Sequence, residues 1–302
     1  MQVSLLLKQI PFEVERTVCS KLNLLFGRRP SSAPFLSGDT YRVLADHVFD
    51  ETESFDPAYV LPGSVVFVSS SRLLEFCGEI LPKIPFPFVL VTHQGDLNIN
   101  ESYRHLAEDP KVLHWFAQNC ILEHPKVTPL PIGLEDGWRH NNGEVSHFRQ
   151  LAKRNIPTIP RIAYGFAIGT NLEKRFACYK AMRGSKAADE IPQFLGARSY
   201  RKTVSRYMFI ASPPGNGLDC HRTWEAMYMN CVPLVEDNSM NRSFKDQGLP
   251  LVLVKSWDEL MDWTEQKIAT LYKECIGISA KERTSLGFWK TTIRESANGR
   301  GR

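Results

Sequence analysis

Short apolar runs rich in β-branched and aromatic residues recur along the chain, parted by amphipathic stretches and by clusters of Gly, Pro and Asn. Val65-Val66-Phe67-Val68 is continuously apolar, the pattern of a strand covered on both faces. Ser69 to Leu81 predicts a helix, Pro82 to Pro87 breaks the chain, and Phe88-Val89-Leu90-Val91-Thr92 predicts a second buried strand. The alternation resumes at Ile162–Ile168, followed by a helix from Leu172 to Arg183. It continues through a strand at Tyr207–Ala211, a helix from Leu218 to Asn230 with Asp219 as candidate cap, and strands at Cys231–Val235 and Pro250–Val254. Strands separated by helices call for parallel sheets. A length of 302 residues, 43% of them apolar, suffices for two domains with a core each. Residues 144–160 are polar and end in Ile156-Pro157-Thr158-Ile159-Pro160, a hinge by composition. The predicted fold class is α/β, with two Rossmann-like domains, residues 1–150 and 151–302, facing across a cleft.

The richest stretch chemically is 207–236. Ser212-Pro213-Pro214-Gly215-Asn216-Gly217 ends one strand and leads into a helix, and a glycine-rich turn there exposes backbone N–H groups and the positive end of the helix dipole. Arg222 and Glu225 lie three apart and share a helix face. The guanidinium can hold a diphosphate through paired hydrogen bonds, and the carboxylate can accept from ribose hydroxyls. The competing account is a surface salt bridge worth about 0–1 kcal/mol. The turn is neither Gly-x-Gly-x-x-Gly nor a phosphate loop followed by Gly-Lys-Ser/Thr. An earlier strand–turn–helix unit places Asn171 and Arg175 as further phosphate contacts.

In the first half, the strand Phe88–Thr92 runs into His93-Gln94-Gly95-Asp96. Ligands of doubly wound sheets gather at the carboxyl ends of strands, so His93 and Asp96 are the acid–base candidates there. A packed strand-end histidine and a turn-forming aspartate explain the same residues without chemistry. Trp138 is a candidate for stacking on a sugar ring, and Gln118 and Asn119 for touching an acceptor.

Ser212-Pro-Pro-Gly-Asn-Gly-Leu-Asp-Cys-His-Arg-Thr-Trp-Glu-Ala, followed by Asn-Cys-Val-Pro-Leu-Val, resembles the donor-binding segment of exostosin-like glycosyltransferases. Pro214 stands where that segment usually has Arg, and Asn230 where it has Gly. Thr92-His93…Asp96, Trp115-Phe116-Ala117-Gln118-Asn119 and Pro131-Ile132-Gly133-Leu134 extend the likeness. The resemblance implies a GT-B architecture, a nucleotide-sugar donor and inversion at the sugar with neither metal nor other cofactor. The implied donor is a UDP-sugar such as UDP-xylose and the implied acceptor a glycan hydroxyl. Ser212, Gly215, Asn216, Gly217, His221, Arg222, Glu225, Asn171 and Arg175 would then bind the donor, and Asp96 or His93 would be the base. The alternatives are a GDP-sugar enzyme of fucosyltransferase type and a nucleotide-sugar-binding module without catalysis.

Charge and cysteines sharpen this little. A net charge of +4 is too small to argue for nucleic acid or a membrane surface as partner. Its distribution is uneven: residues 1–150 carry 13 Lys/Arg against 18 Asp/Glu, leaving 24 against 15 for residues 151–302, and the basic half suits an anionic nucleotide. Seven scattered cysteines without metal-ligand spacing predict free thiols. No apolar run reaches a membrane span, and Val3 to Leu7 is too short an apolar core for a signal peptide. The expectation is therefore a cytoplasmic protein, or a lumenal domain trimmed of its anchor.

Overall fold

The computed structural model describes residues 28–297 apart from 140–142, 154–156, 193–194 and 277–279, together with Val18, Leu22, Asn23 and Phe26. Most of the amino-terminal stretch, Val3 to Leu7 included, and residues 298–302 lie outside the described residues.

Two five-stranded sheets, all parallel, are built in chain order. The first holds β1 His47–Phe49, β2 Val65–Ser69, β3 Phe88–His93, β4 Val112–Ala117 and β5 Val127–Pro129, in the order 1-2-3-4-5. The second holds β6 Ile159–Tyr164, β7 Ala188–Glu190, β8 Tyr207–Ala211, β9 Val232–Glu236 and β10 Val252–Val254, in the order 10-9-8-6-7. Among the described residues the helices of eight or more residues are α1 Val145–Lys153, α2 Leu172–Gly184, α3 Ala197–Val204, α4 His221–Tyr228, α5 Ser239–Asp246, α6 Glu265–Ile276 and α7 Leu286–Ala297. The two-sheet, Rossmann-like α/β reading of the sequence holds.

The period of two along a strand sorts the core. Val65, Phe67, Val89 and Val91 join a central cluster that also takes Ala163 and Ile210 of the second sheet, while Val66, Val68 and Leu90 join a cluster on the opposite face of the first sheet. Ile162, Tyr164, Phe209 and Ala211 face a third cluster, on the far side of the second sheet. One central core therefore spans both halves.

Three local expectations are revised. The helix expected from Ser69 to Leu81 is a run of short pieces, with 3-10 turns at Ser70–Arg72 and Leu81–Lys83 and a π segment at Phe76–Ile80. Gly78 weakens the interior and Pro82 removes a donor at the end, so no single ladder of bonds is maintained. Asp219 is not the cap of α4: Cys220 occupies that position without a side-chain bond. Most of the presumed hinge, finally, is α1, which buries Phe148 and Leu151.

The last long helix returns to the first sheet. α7 packs on β2, β3 and β4, burying Trp289 and Ile293. Arg294 fixes it there, donating to Asp46 at 2.7 Å and to Leu44 O at 2.7 Å.

Candidate functional site

The loops at the carboxyl ends of β6 and β8 meet around Phe166. Asn171 caps α2, accepting from Lys174 N at 3.3 Å, and its Nδ2 donates to Gly215 O at 2.9 Å. One turn on, Arg175 is 7% exposed. Its Nε donates to Pro214 O at 2.9 Å and its Nη1 to Ala167 O at 2.9 Å, which leaves Nη2 without a partner among the described residues. A Cβ on Gly215 would come within 2.9 Å of that Nη2. Gly215 thus gives the guanidinium room.

Arg222 reaches the same place from α4. Its Nε lies 3.4 Å from the Tyr200 hydroxyl and its Nη2 3.4 Å from Gly165 O, both long for hydrogen bonds. The Phe166 ring centroid is 5.8 Å from the Arg175 guanidinium carbon and 5.5 Å from that of Arg222. Neither arginine has an ion-pair partner among the described residues. Burial, and next the positive charge of Arg222, push the Arg175 pKa below its ordinary value. Glu225, half-buried, has no hydrogen bond or ion pair among the described residues. Two cations are therefore crowded against one ring with a carboxylate on the same helix, an arrangement that an anion would relieve.

The rest of the turn is tied into the fold. The Ser212 hydroxyl sits 2.9 Å from that of Thr223 and 3.1 Å from Cys220 Sγ, joining the end of β8 to the start of α4. Asn216 is exposed at the tip. A Cβ on Gly217 would come within 2.5 Å of the Asn119 side chain, so that glycine lets the two halves of the chain approach. Asp219, 5% exposed, completes this junction. Its N–H donates to Asn119 Oδ1 at 2.9 Å, and its Oδ2 accepts from Ile132 N at 2.9 Å and Trp224 Nε1 at 2.8 Å. Burial pushes its carboxyl up to about 6. His221 adds a third tie between the halves, with Nδ1 2.9 Å from Gly133 O.

The two base candidates part company. His93 is 2% exposed, with Nε2 3.1 Å from Pro131 O and Nδ1 accepting from Gln94 N at 2.7 Å. Burial holds its pKa down at about 4, so the imidazole is neutral with both nitrogens engaged. Asp96 is exposed and makes no hydrogen bond or ion pair among the described residues. The structure does not bring the two side chains into contact.

Beside them two acids converge on one side-chain amide. Gln94, at φ 60°, donates from Nε2 to both Asp39 Oδ1 and Asp136 Oδ2 at 2.9 Å. Burial first and Asp136 second raise the Asp39 pKa, against the pull of Arg29 at 2.7 Å. Phe166, Tyr200 and Asn119 were unmarked as donor-side residues, and Phe166, inside the predicted run Ile162–Ile168, lies just past the observed end of β6. Trp138 faces Arg29, its ring centroid 5.9 Å from the guanidinium carbon.

Among the described residues no three His, Cys, Asp or Glu side chains converge as metal ligands, the six described cysteines are free thiols, and no helix is long and apolar enough to cross a membrane. No protein-family profile matches the chain. Over 115 residues, 34% of this chain and 26% of the relative, it is 28% identical to ribitol-5-phosphate xylosyltransferase 1 of Danio rerio, so the match spans about a quarter of that protein's length.

Proposed function

We propose that this protein is a glycosyltransferase of GT-B type that takes a nucleotide-sugar donor on its second half and a glycan acceptor on its first. The observation that carries the reading is the pair Arg175 and Arg222, flanking Phe166 beside the Pro214–Gly217 turn with no ion pair among the described residues. A diphosphate satisfies both guanidiniums, with the first N–H groups of α4 beside it. Glu225, one turn along the same helix, meets the ribose hydroxyls. The likeness to a xylosyltransferase supports a donor carrying xylose, of which UDP-xylose is the first to try. Two guanidiniums and the helix end supply the charge that a divalent cation brings elsewhere, so the proposed reaction needs no metal. Inversion follows from a single displacement at the anomeric carbon.

The test is calorimetric titration with UDP, followed by transfer assays with a panel of UDP- and GDP-sugars. Arg175→Ala and Arg222→Ala each remove charge-assisted bonds worth about 1.5–3 kcal/mol, which is roughly a 10- to 100-fold loss of UDP affinity. Transfer should persist in EDTA. Wild-type affinity in both variants, or activity lost to EDTA and restored by manganese, overturns the assignment.

A further inference from the structure

The loop 131–133 holds two histidines, one from each half of the chain. Pro131 O takes the Nε2–H of His93, and Gly133 O lies 2.9 Å from Nδ1 of His221. A carbonyl oxygen only accepts, so Nδ1 of a neutral His221 carries the hydrogen and the lone pair is left on Nε2. The corresponding lone pair of His93 is filled by Gln94 N. Nothing among the described residues fills that of His221, which is half-buried at the start of α4. Its neighbour in sequence is Arg222 of the arginine pair, while its ring is pinned to the other half of the chain. It thus stands where the proposed donor and acceptor sides meet.

Resting on the glycosyltransferase reading, we infer that Nε2 of His221 accepts the proton of the acceptor hydroxyl during sugar transfer. The acceptor oxygen forms its bond to the anomeric carbon as the bond from that carbon to the diphosphate breaks. The bonding pair leaves with the diphosphate, and the hydroxyl proton passes to Nε2. The resulting imidazolium keeps its Nδ1–H bond to Gly133 O and lies near the Asp219 carboxylate, whose own pKa it lowers. It returns the proton to solvent after product leaves. Asp96 competes for the role by exposure alone, since no bond among the described residues fixes its side chain. A base must lie within about 2.6–3.2 Å of the proton it takes, and an anchored ring reaches such a geometry at lower entropic cost than a free carboxylate.

His221→Asn separates the roles, because an Asn amide can still donate to Gly133 O but has no counterpart of Nε2. The expected result is unchanged UDP affinity and donor KM, with kcat lowered about 10²–10⁴-fold. Asp96→Asn should keep near-normal turnover. Nitrogen NMR of the unmodified protein should show His221 as the Nδ1–H tautomer, a readout that needs no variant to fold. Near-normal kcat in His221→Asn overturns the inference, as does the Nε2–H tautomer. A loss of UDP affinity in step with the loss of rate also overturns it, by making His221 a phosphate ligand. Wild-type protein that binds UDP and transfers no sugar removes the glycosyltransferase reading itself, and this inference with it.

Discussion

At the scale of single residues, burial decides which titratable groups are available for chemistry. His93 has its pKa depressed to about 4 by desolvation, against an ordinary value of 6.5. A depressed group contributes stability that is full above its unfolded pKa and is lost as pH falls through the folded one, so the His93 contribution disappears between pH 6.5 and about 4. The difference amounts to roughly 3 kcal/mol. His114, also held near 4 by burial, adds in the same window. Asp219 acts in the opposite sense: its carboxyl is raised from 3.8 to about 6, so its contribution is full below 3.8 and is lost as pH rises through 6. Urea unfolding of wild type and His93→Gln should therefore converge, and the variant gain relative to wild type, as pH is lowered from 7 to 4. Parallel curves over that range would mean that His93 is not buried as a neutral ring. The sequence offered His93 both as a candidate base and as a packed strand-end residue, and did not decide between them. Its burial depends on Tyr41, whose ring centroid lies 5.3 Å away, and on the loop at Pro131, both far along the chain.

At the scale of elements, the buried strands were readable because their side chains meet cover on both faces, which demands unbroken apolar runs. The helices were less so. The stretch after β2 carries a helical pattern, yet Gly78 and Pro82 prevent a continuous ladder. The glycines of the 212–217 turn were legible as a break, but their purpose was not. Gly215 makes room for Arg175 and Gly217 for Asn119, partners 40 and 98 residues away in sequence. α7 is another long-range fact that local pattern conceals. Trp289 is fully buried against the first sheet, and Trp289→Ala should cost about 3–5 kcal/mol. Hydrogen exchange should locate the damage: amides of β2–β4 lose protection before those of β8 and β9. Uniform loss across both sheets would show that the two halves unfold together, through the core they share.

At the scale of the whole molecule, the second half reaches into the first at several places, among them the Asp219–His221 junction and α7. The junction sets the arginine pair and the end of the first sheet in a fixed relation, with Asp219 bonded to both sides. The placement of α7 bears on how the chain acquires its shape during synthesis. Residues 1–139 leave the ribosome with all five strands of the first sheet, yet the helix that covers β2, β3 and β4 on one face ends at Ala297. The growing chain must carry that apolar face uncovered until α7 has been made, which invites chaperone binding in the interval. Ribosome-stalled chains ending at residue 285 should remain protease-sensitive in the first sheet, and release of a chain extending through residue 297 should confer resistance. Resistance already present at 285 would show that the sheet closes without its last helix.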